Sequence, residues 1–252
     1  MHLIIVFILF TILIMTVYMF LEAKKLTIKN DVIDWPISMK NTKILFITDL
    51  HKREIKPGML SKVPAVDYVI IGGDLCEKGV KKATLDNNLS KLTAFGKTLF
   101  IWGNNDYEYG EDKLTESLNK HGITTLQNQS LQIKEENHTW TIAGVDDLGC
   151  DRTNVELALK KAEGPVLLVS HNPEVAYLIN DKYKDVQVII TGHTHGGQIR
   201  LGSLSLGERG GWTIKNNFRV FISNGFGTTS IPARFGAIPE IHVITIKGVN
   251  NQ

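Results

Sequence analysis

The stretch Val186-Gln187-Val188-Ile189-Ile190-Thr191-Gly192-His193-Thr194-His195-Gly196-Gly197-Gln198 joins a short β-branched run to a glycine-rich turn that carries two histidines. The run predicts a buried strand that ends where the glycines begin. In an extended segment positions i and i+2 share a side, so His193 and His195 are expected to face one point. Gly192, Gly196 and Gly197 lack Cβ atoms and leave room for a sharp turn, and for an ion with its substrate. Alone, the pair reads equally as half of a metal site or as two solvated histidines in a turn. The choice rests on what donors the remaining chain supplies.

The same device recurs elsewhere in the chain. The apolar run 43–48 ends at Asp49-Leu50-His51, and 68–71 ends at Gly72-Gly73-Asp74. The run 99–102 ends at Gly103-Asn104-Asn105-Asp106, and 166–170 leads into His171-Asn172-Pro173. Segments 80–95 and 112–121 have helix-like polarity, which gives the strand-helix alternation of a layered α/β fold. Such folds place their sites at strand ends. Segments 130–134 and 139–145 predict a hairpin across Glu135-Glu136-Asn137-His138. A helix is expected over 151–162, capped by Thr153 or Asp151 and stopped by Gly164-Pro165. A glycine-rich loop, 207–212, and two strands, 218–222 and 240–246, complete the chain.

Residues 3–21 contain no charge and are dominated by Ile, Leu, Phe, Val and Met. At about 1.5 Å per residue this run matches the thickness of a bilayer core. It predicts a transmembrane anchor over 1–22, a linker over 23–42 and a catalytic domain over 43–252. A cleaved signal peptide fits less well, because only His2 precedes the run and Leu21-Glu22-Ala23 is a poor cleavage site. Lys24, Lys25 and Lys29 follow the span, so the positive-inside rule leans towards a cytoplasmic domain at the cell membrane. The 252 residues are 43% hydrophobic and 21% charged, which excludes disorder. With 28 basic against 26 acidic side chains, and no basic or aromatic stripe, nucleic acid is not favoured as a partner. Cys76 and Cys150 lack metal-motif spacing, and only a single bridge between them stays formally open.

The strand-end residues form one set: Asp49, His51, Asp74, Asn104, His171, His193 and His195. Mixed oxygen and nitrogen donors without thiolate suit two divalent ions such as Mn, Fe or Zn rather than the all-oxygen cages of Ca or Mg. Asp74 is the expected bridging carboxylate. Ions so held lower the pKa of a shared water, orient a phosphoryl group and offset charge in an in-line displacement. Hydrolysis of a phosphate ester follows.

The order Asp-x-His, Gly-Asp, Gly-Asn, a lone His and Gly-His-Thr-His, spread over 43–246, resembles the calcineurin-like metallophosphoesterase family. Gly-His-Thr-His-Gly-Gly-Gln is similar to its membrane-associated or exported bacterial phosphodiesterases. The resemblance implies a four-layer α-β-β-α sandwich, here preceded by one N-terminal transmembrane helix. It implies that Asp49, His51, Asp74 and His195 hold one ion, and that Asp74, Asn104, His171 and His193 hold the other.

One departure stands out. Where the family has Gly-Asn-His-Asp/Glu, this chain has Asn105, whose amide can hydrogen-bond a phosphate oxygen but is no general acid at neutral pH. General acid assistance is worth about 10² to 10⁴ in rate, so either a good leaving group or another residue that supplies the proton is expected. Asp106 is expected to orient a neighbouring ligand. Arg53, Arg234 and Lys52 are candidates for phosphate binding, and equally for solvated surface charge. His121, His138 and His242 read as surface or structural residues. The expected activity is that of a dinuclear-metal phosphodiesterase or pyrophosphate hydrolase, with lipid-linked phosphate esters among its candidate substrates. The rivals are a phosphomonoesterase or protein phosphatase, and a metal-binding scaffold with weak or no catalysis.

Overall fold

Residues 1–135, 138–202, 204, 205 and 207–249 are described in a computed structural model. Glu136 and Asn137 of the expected hairpin turn, and positions 250–252 of the expected domain, lie outside the described residues. The chain begins with helix α1 (His2–Glu22), β1 (Thr27–Trp35), β2 (Thr42–Ile47), β3 (Tyr68–Gly72), α2 (Lys82–Thr93) and β4 (Lys97–Ile101). Next come α3 (Asn104–Tyr109), α4 (Glu111–Lys120), β5 (Thr124–Thr125), β6 (Gln129–Lys134) and β7 (Thr139–Gly144). Then follow α5 (Val155–Leu159), β8 (Val166–Val169), β9 (Val186–Thr191), β10 (Gly211–Lys215), β11 (Phe218–Ile222) and β12 (Glu240–Gly248).

Two six-stranded mixed sheets result, in the orders β1-β12-β2-β3-β4-β5 and β10-β11-β9-β8-β7-β6. Strands β2, β3 and β4 run parallel in the first sheet, and β7, β8 and β9 in the second. The expected hairpin is the antiparallel pair β6 and β7. Successive residues of β2 show why its run is continuously apolar. Ile44 and Phe46 point between the sheets, where they meet Trp140, Ile142, Leu167 and Val188. Leu45 and Ile47 point outward to Leu85, Leu89 and Leu92 of α2 and to Leu114 and Leu118 of α4. A strand buried on both faces has no polar alternation to show. On the outer face of the second sheet, Ala143, Leu168 and Ile189 pack with Val155 and Ala158 of α5 and with the turn Pro173–Leu178. These layers are the expected α-β-β-α sandwich.

Three local readings change. The linker expected over 23–42 contains β1, which pairs parallel with β12 from Thr27↔Glu240 to Trp35↔Gly248. Its mixed polarity is that of an edge strand with a solvated face; Ile33 and Trp35 are buried, and Trp35 meets Trp140 edge-on at 5.5 Å. The helix expected over 151–162 shrinks to α5, capped by Asn154, whose side chain accepts from the Leu157 N–H. Neither expected cap serves: Thr153 Oγ1 instead donates to the Asp146 carbonyl at 2.6 Å. Part of the expected glycine-rich loop is β10, hydrogen-bonded to β11. Both cysteines are free thiols.

Helix α1 leaves its apolar side chains exposed and is long and apolar enough to cross a membrane. Because β1 completes the sheet, Trp35→Ala should cost about 3–5 kcal/mol, the range for emptying a large aromatic site. Urea unfolding of the detergent-solubilised chain, followed by circular dichroism, measures this; a loss below about 1 kcal/mol would make β1 a detachable tether.

Candidate metal centre

Each expected donor sits just beyond a strand. Asp49 and His51 follow β2, Asp74 follows β3, Asn104 opens α3 after β4, His171 follows β8, and His193 and His195 follow β9. Six of them converge in two groups, Asp49 with His51 and His195, and Asp74 with His171 and His193, with donor atoms within 4.8 Å in each group. Asp74 Oδ2 lies 3.2 Å from His171 Nε2 and 3.6 Å from His51 Nε2, so one carboxylate oxygen faces both groups. His195 Nε2 lies 3.4 Å from Asp49 Oδ1.

His193 and His195 do not face one point. The segment is turned rather than extended, with φ at 70° and 51°, and the two rings go to different groups. Asp49, His51 and Asp74 share this left-handed backbone, with φ of 57°, 52° and 50°. Such conformations cost of order 1–3 kcal/mol each for residues other than glycine, and persist where surrounding contacts fix them. Here the loops fix one another. Asp49 N donates to Gly73 O and His51 N to Asp74 O, both at 3.0 Å, and His193 N donates to Asp49 Oδ1 at 3.1 Å. Glycine is needed where ligands crowd the main chain. A Cβ on Gly192 would stand 2.5 Å from Asp49 Oδ2, and one on Gly103 would overlap the Asp74 amide and carboxylate.

The tautomers of the histidines are assigned from their hydrogen bonds. Arg234 Nη2 can only donate, so at 3.1 Å it makes His195 Nδ1 an acceptor. His195 Nε2–H then donates to His51 Nε2 at 2.9 Å, and His51 Nδ1–H donates to Glu77 Oε2 at 2.8 Å. His171 Nδ1–H donates to Gly72 O at 2.9 Å. Burial works against a charged His171, but Asp74 beside it prevails and raises its pKa to about 10. Burial, aided by His51 and Arg234 and opposed by Asp49, takes His195 down to about 3. Burial and the neighbouring His171 lower His193 as well. A cation held here would take the place of the proton on His171 Nε2, while Gly72 O keeps the proton on Nδ1.

Asn104 Oδ1 is buried without a hydrogen-bond partner. Asn105 does not reach outward; its Nδ2 donates to Asp74 Oδ2 at 2.7 Å and its N to Asp74 Oδ1 at 2.9 Å. Asp106 is buried and accepts from Gly103 N and Cys76 N at 2.9 and 3.0 Å, tying the loops of Asn104 and Asp74 together.

The expected phosphate-binding cations are spent elsewhere. Arg234 is fully buried, with its guanidinium on the carbonyls of Gly225, Gly227, Ala237 and His195 besides His195 Nδ1. Arg53 donates to the carbonyls of Phe226, Lys24 and Lys25. Lys52 pairs with Glu77 at 2.6 Å. Among the other histidines, His242 is buried between Asp31 and Glu240, while His121 donates from Nδ1 to Ser117 O. His138 is exposed.

Glu77, which accepts from His51, and Gln198 are contacts of the candidate site that motif spacing did not single out. Gln198, the last residue of the histidine motif, donates to Thr229 O and Ile231 O and accepts from Thr229 N. It thereby pins one wall of an open cavity of about 440 Å³ beside His193 and His195. A cavity of about 570 Å³ lies under α5, away from both groups.

Buried imidazole and carboxylate donors in two adjacent groups, with an unpartnered amide oxygen beside them, fit a pair of divalent cations. The calcineurin-like phosphoesterase family model matches residues 42–197, a span holding all seven expected ligands. YpbG of Bacillus subtilis is 42% identical over 243 residues, 93% of each chain. The phosphodiesterase YaeI of Escherichia coli is 32% identical over 171 residues, which is 63% of this chain and 62% of YaeI. A Danio rerio transmembrane protein with a metallophosphoesterase domain is 27% identical over 84% of this chain and 54% of its own length.

Gly192→Ala should push Asp49 out of place and weaken Mn²⁺ binding by about 10–100-fold, as changes just outside a ligand set do. Titration with metal analysis of the bound fraction measures it. Wild-type affinity in that variant would mean that the ligand loops yield to a methyl group.

Proposed function

The chain belongs to the calcineurin-like phosphoesterase family, and we propose that within it this protein is a membrane-anchored hydrolase of phosphodiesters or pyrophosphates. The observation that carries the reading is the position of Asp74, whose one carboxylate oxygen faces both ligand groups. Asp49, His51 and His195 would hold one cation, and Asn104, His171 and His193 the other, with Asp74 reaching both. Nitrogen and oxygen donors favour Mn, Fe or Zn. When bound, such a pair supplies Lewis acidity, lowering the pKa of water and offsetting charge on a phosphoryl oxygen.

The chain's own residues set the substrate preference. Asn105 keeps Asp74 oriented through two hydrogen bonds and has no proton to give a leaving group. Lys52, Arg53 and Arg234 are engaged with Glu77 or with carbonyls, and no other histidine borders the two groups among the described residues. Departure must therefore depend on a leaving group that is stable without a proton, such as an aryl oxide or a phosphate. The name of YaeI as a phosphodiesterase supports the diester reading. Helix α1 and the Danio rerio relative support the anchor, and Lys24 and Lys25 beside the helix favour the cytoplasmic face.

With Mn²⁺, the detergent-solubilised chain should cleave an aryl phosphodiester faster than a dialkyl diester or an aryl monoester, and Asp74→Ala should abolish turnover. Asn105→His should speed the alkyl diester by up to about 10² to 10⁴ while changing the aryl diester much less. Equal gains on both would sink the leaving-group argument. Faster monoester turnover would make the protein a phosphomonoesterase, and a metal-loaded chain without turnover would make it a scaffold.

A further inference from the structure

The cavity beside His193 and His195 has apolar walls from Ile199 and Ile231 and is braced by Gln198. These two wall residues are 37% and 56% exposed, and Leu201 and Leu204, which follow closely after Ile199 in the chain, are 64% and 73% exposed. Leu201 and Leu204 are bridged to each other by two main-chain hydrogen bonds. Isolated exposed aliphatics are ordinary on a protein surface, but a cluster rimming a ligand cavity marks contact with an apolar partner.

The position of α1 identifies that partner. Phe235 pairs through its main chain with the cavity wall, accepting from Arg200 N at 2.8 Å and donating to Gln198 O at 2.9 Å. Its ring packs edge-on against Tyr18 at 5.9 Å. The next contacts lock the same loop to the last turn of α1: Arg234 N donates to Met19 O at 3.0 Å and Gly236 N donates to Glu22 Oε1 at 3.0 Å. The cavity rim is thus fixed at the level where the apolar helix ends. With α1 across a bilayer, the rim meets the membrane surface.

We infer that this cavity is an acceptor site for the long apolar chain of an amphiphilic phosphoester drawn from the bilayer, with Ile199, Leu201, Leu204 and Ile231 as its membrane-facing lip. This deepens the phosphoesterase reading and rests on it. The chain lies along Ile199 and Ile231, and the headgroup phosphate points to His193 and His195. Gln198 acts as a positioning residue that holds the Ile231 wall.

The test uses the full chain in lipid nanodiscs with Mn²⁺ and p-nitrophenyl alkyl phosphodiesters from methyl to dodecyl, which share one leaving group. Parallel binding measurements use methylphosphonate and dodecylphosphonate, so that affinity is read without hydrolysis. In the wild type the dodecyl-to-methyl ratio should be at least about 10-fold in both readouts, since each buried CH₂ adds substantially to binding. Ile231→Asn and Leu204→Asn should each flatten that ratio, while Ile214→Asn, an exposed position on β10, should keep it. A flat wild-type profile, or lip variants with the wild-type ratio, overturns the proposal. If no ester is cleaved but the phosphonate ratio behaves as stated, the lip stands and the catalytic reading falls.

Discussion

Asp74 is almost wholly buried, and a carboxylate so placed is tolerable only when its charge is met. Burial would push its pKa up, yet His171, His51 and Asn105 hold it well below the usual carboxylate range. Each of those partners comes from a different strand end, so the sandwich has to bring β2, β4 and β8 to one edge for this single charge to survive. The charge also shapes its surroundings. Burial and the nearby Asp74 push Asp106 up to about 8, against the N–H groups of Cys76 and Gly103 that favour its ionised form. Two adjacent buried carboxylates therefore divide the work, one ionised at the centre and the other tying the loops behind it.

The sandwich and the strand-end places of six candidate donors were legible because β2, β3, β4, β8 and β9 are buried on both faces. Their continuous apolar runs are easy to see, and each stops where the chain turns to present a donor. The pairing of those donors in space follows from the parallel strand order rather than from any local signal. The backbone was not legible in the same way. Treating His193 and His195 as neighbours in an extended segment sends both rings to one point, whereas left-handed φ values send them to two. Nothing in the dipeptide spacing encodes that turn; it depends on Asp49 and Gly73 from other loops.

Edges were harder still. β1 carries the polar run Lys29-Asn30-Asp31 in its middle, buries residues only at its end and lies against β12, more than two hundred positions away, so from sequence it resembles a tether. Arg234 shows the same limit. In sequence it is a cation in a loop rich in glycine and proline, the usual setting of a surface charge. In space, carbonyls from several turns close around its guanidinium, and burial lowers it to about 10, which still leaves it charged at neutral pH.

That buried charge joins two parts of the protein that the sequence keeps far apart. Arg234 receives its main-chain anchor from Met19 in α1 and places its guanidinium on His195, while Arg53 secures Lys24 and Lys25 just beyond the helix and follows two residues after His51. A positive group against His195 Nδ1 disfavours an imidazolium there, and by donating to Nδ1 it places the proton of the neutral ring on Nε2. The end of the apolar helix is therefore part of the scaffold that sets the charge and tautomer of one candidate ligand. A main-chain contact at the end of the apolar helix and a guanidinium contact at the candidate metal centre belong to one residue, so the two arginines expected to hold substrate act instead on the geometry of the candidate site.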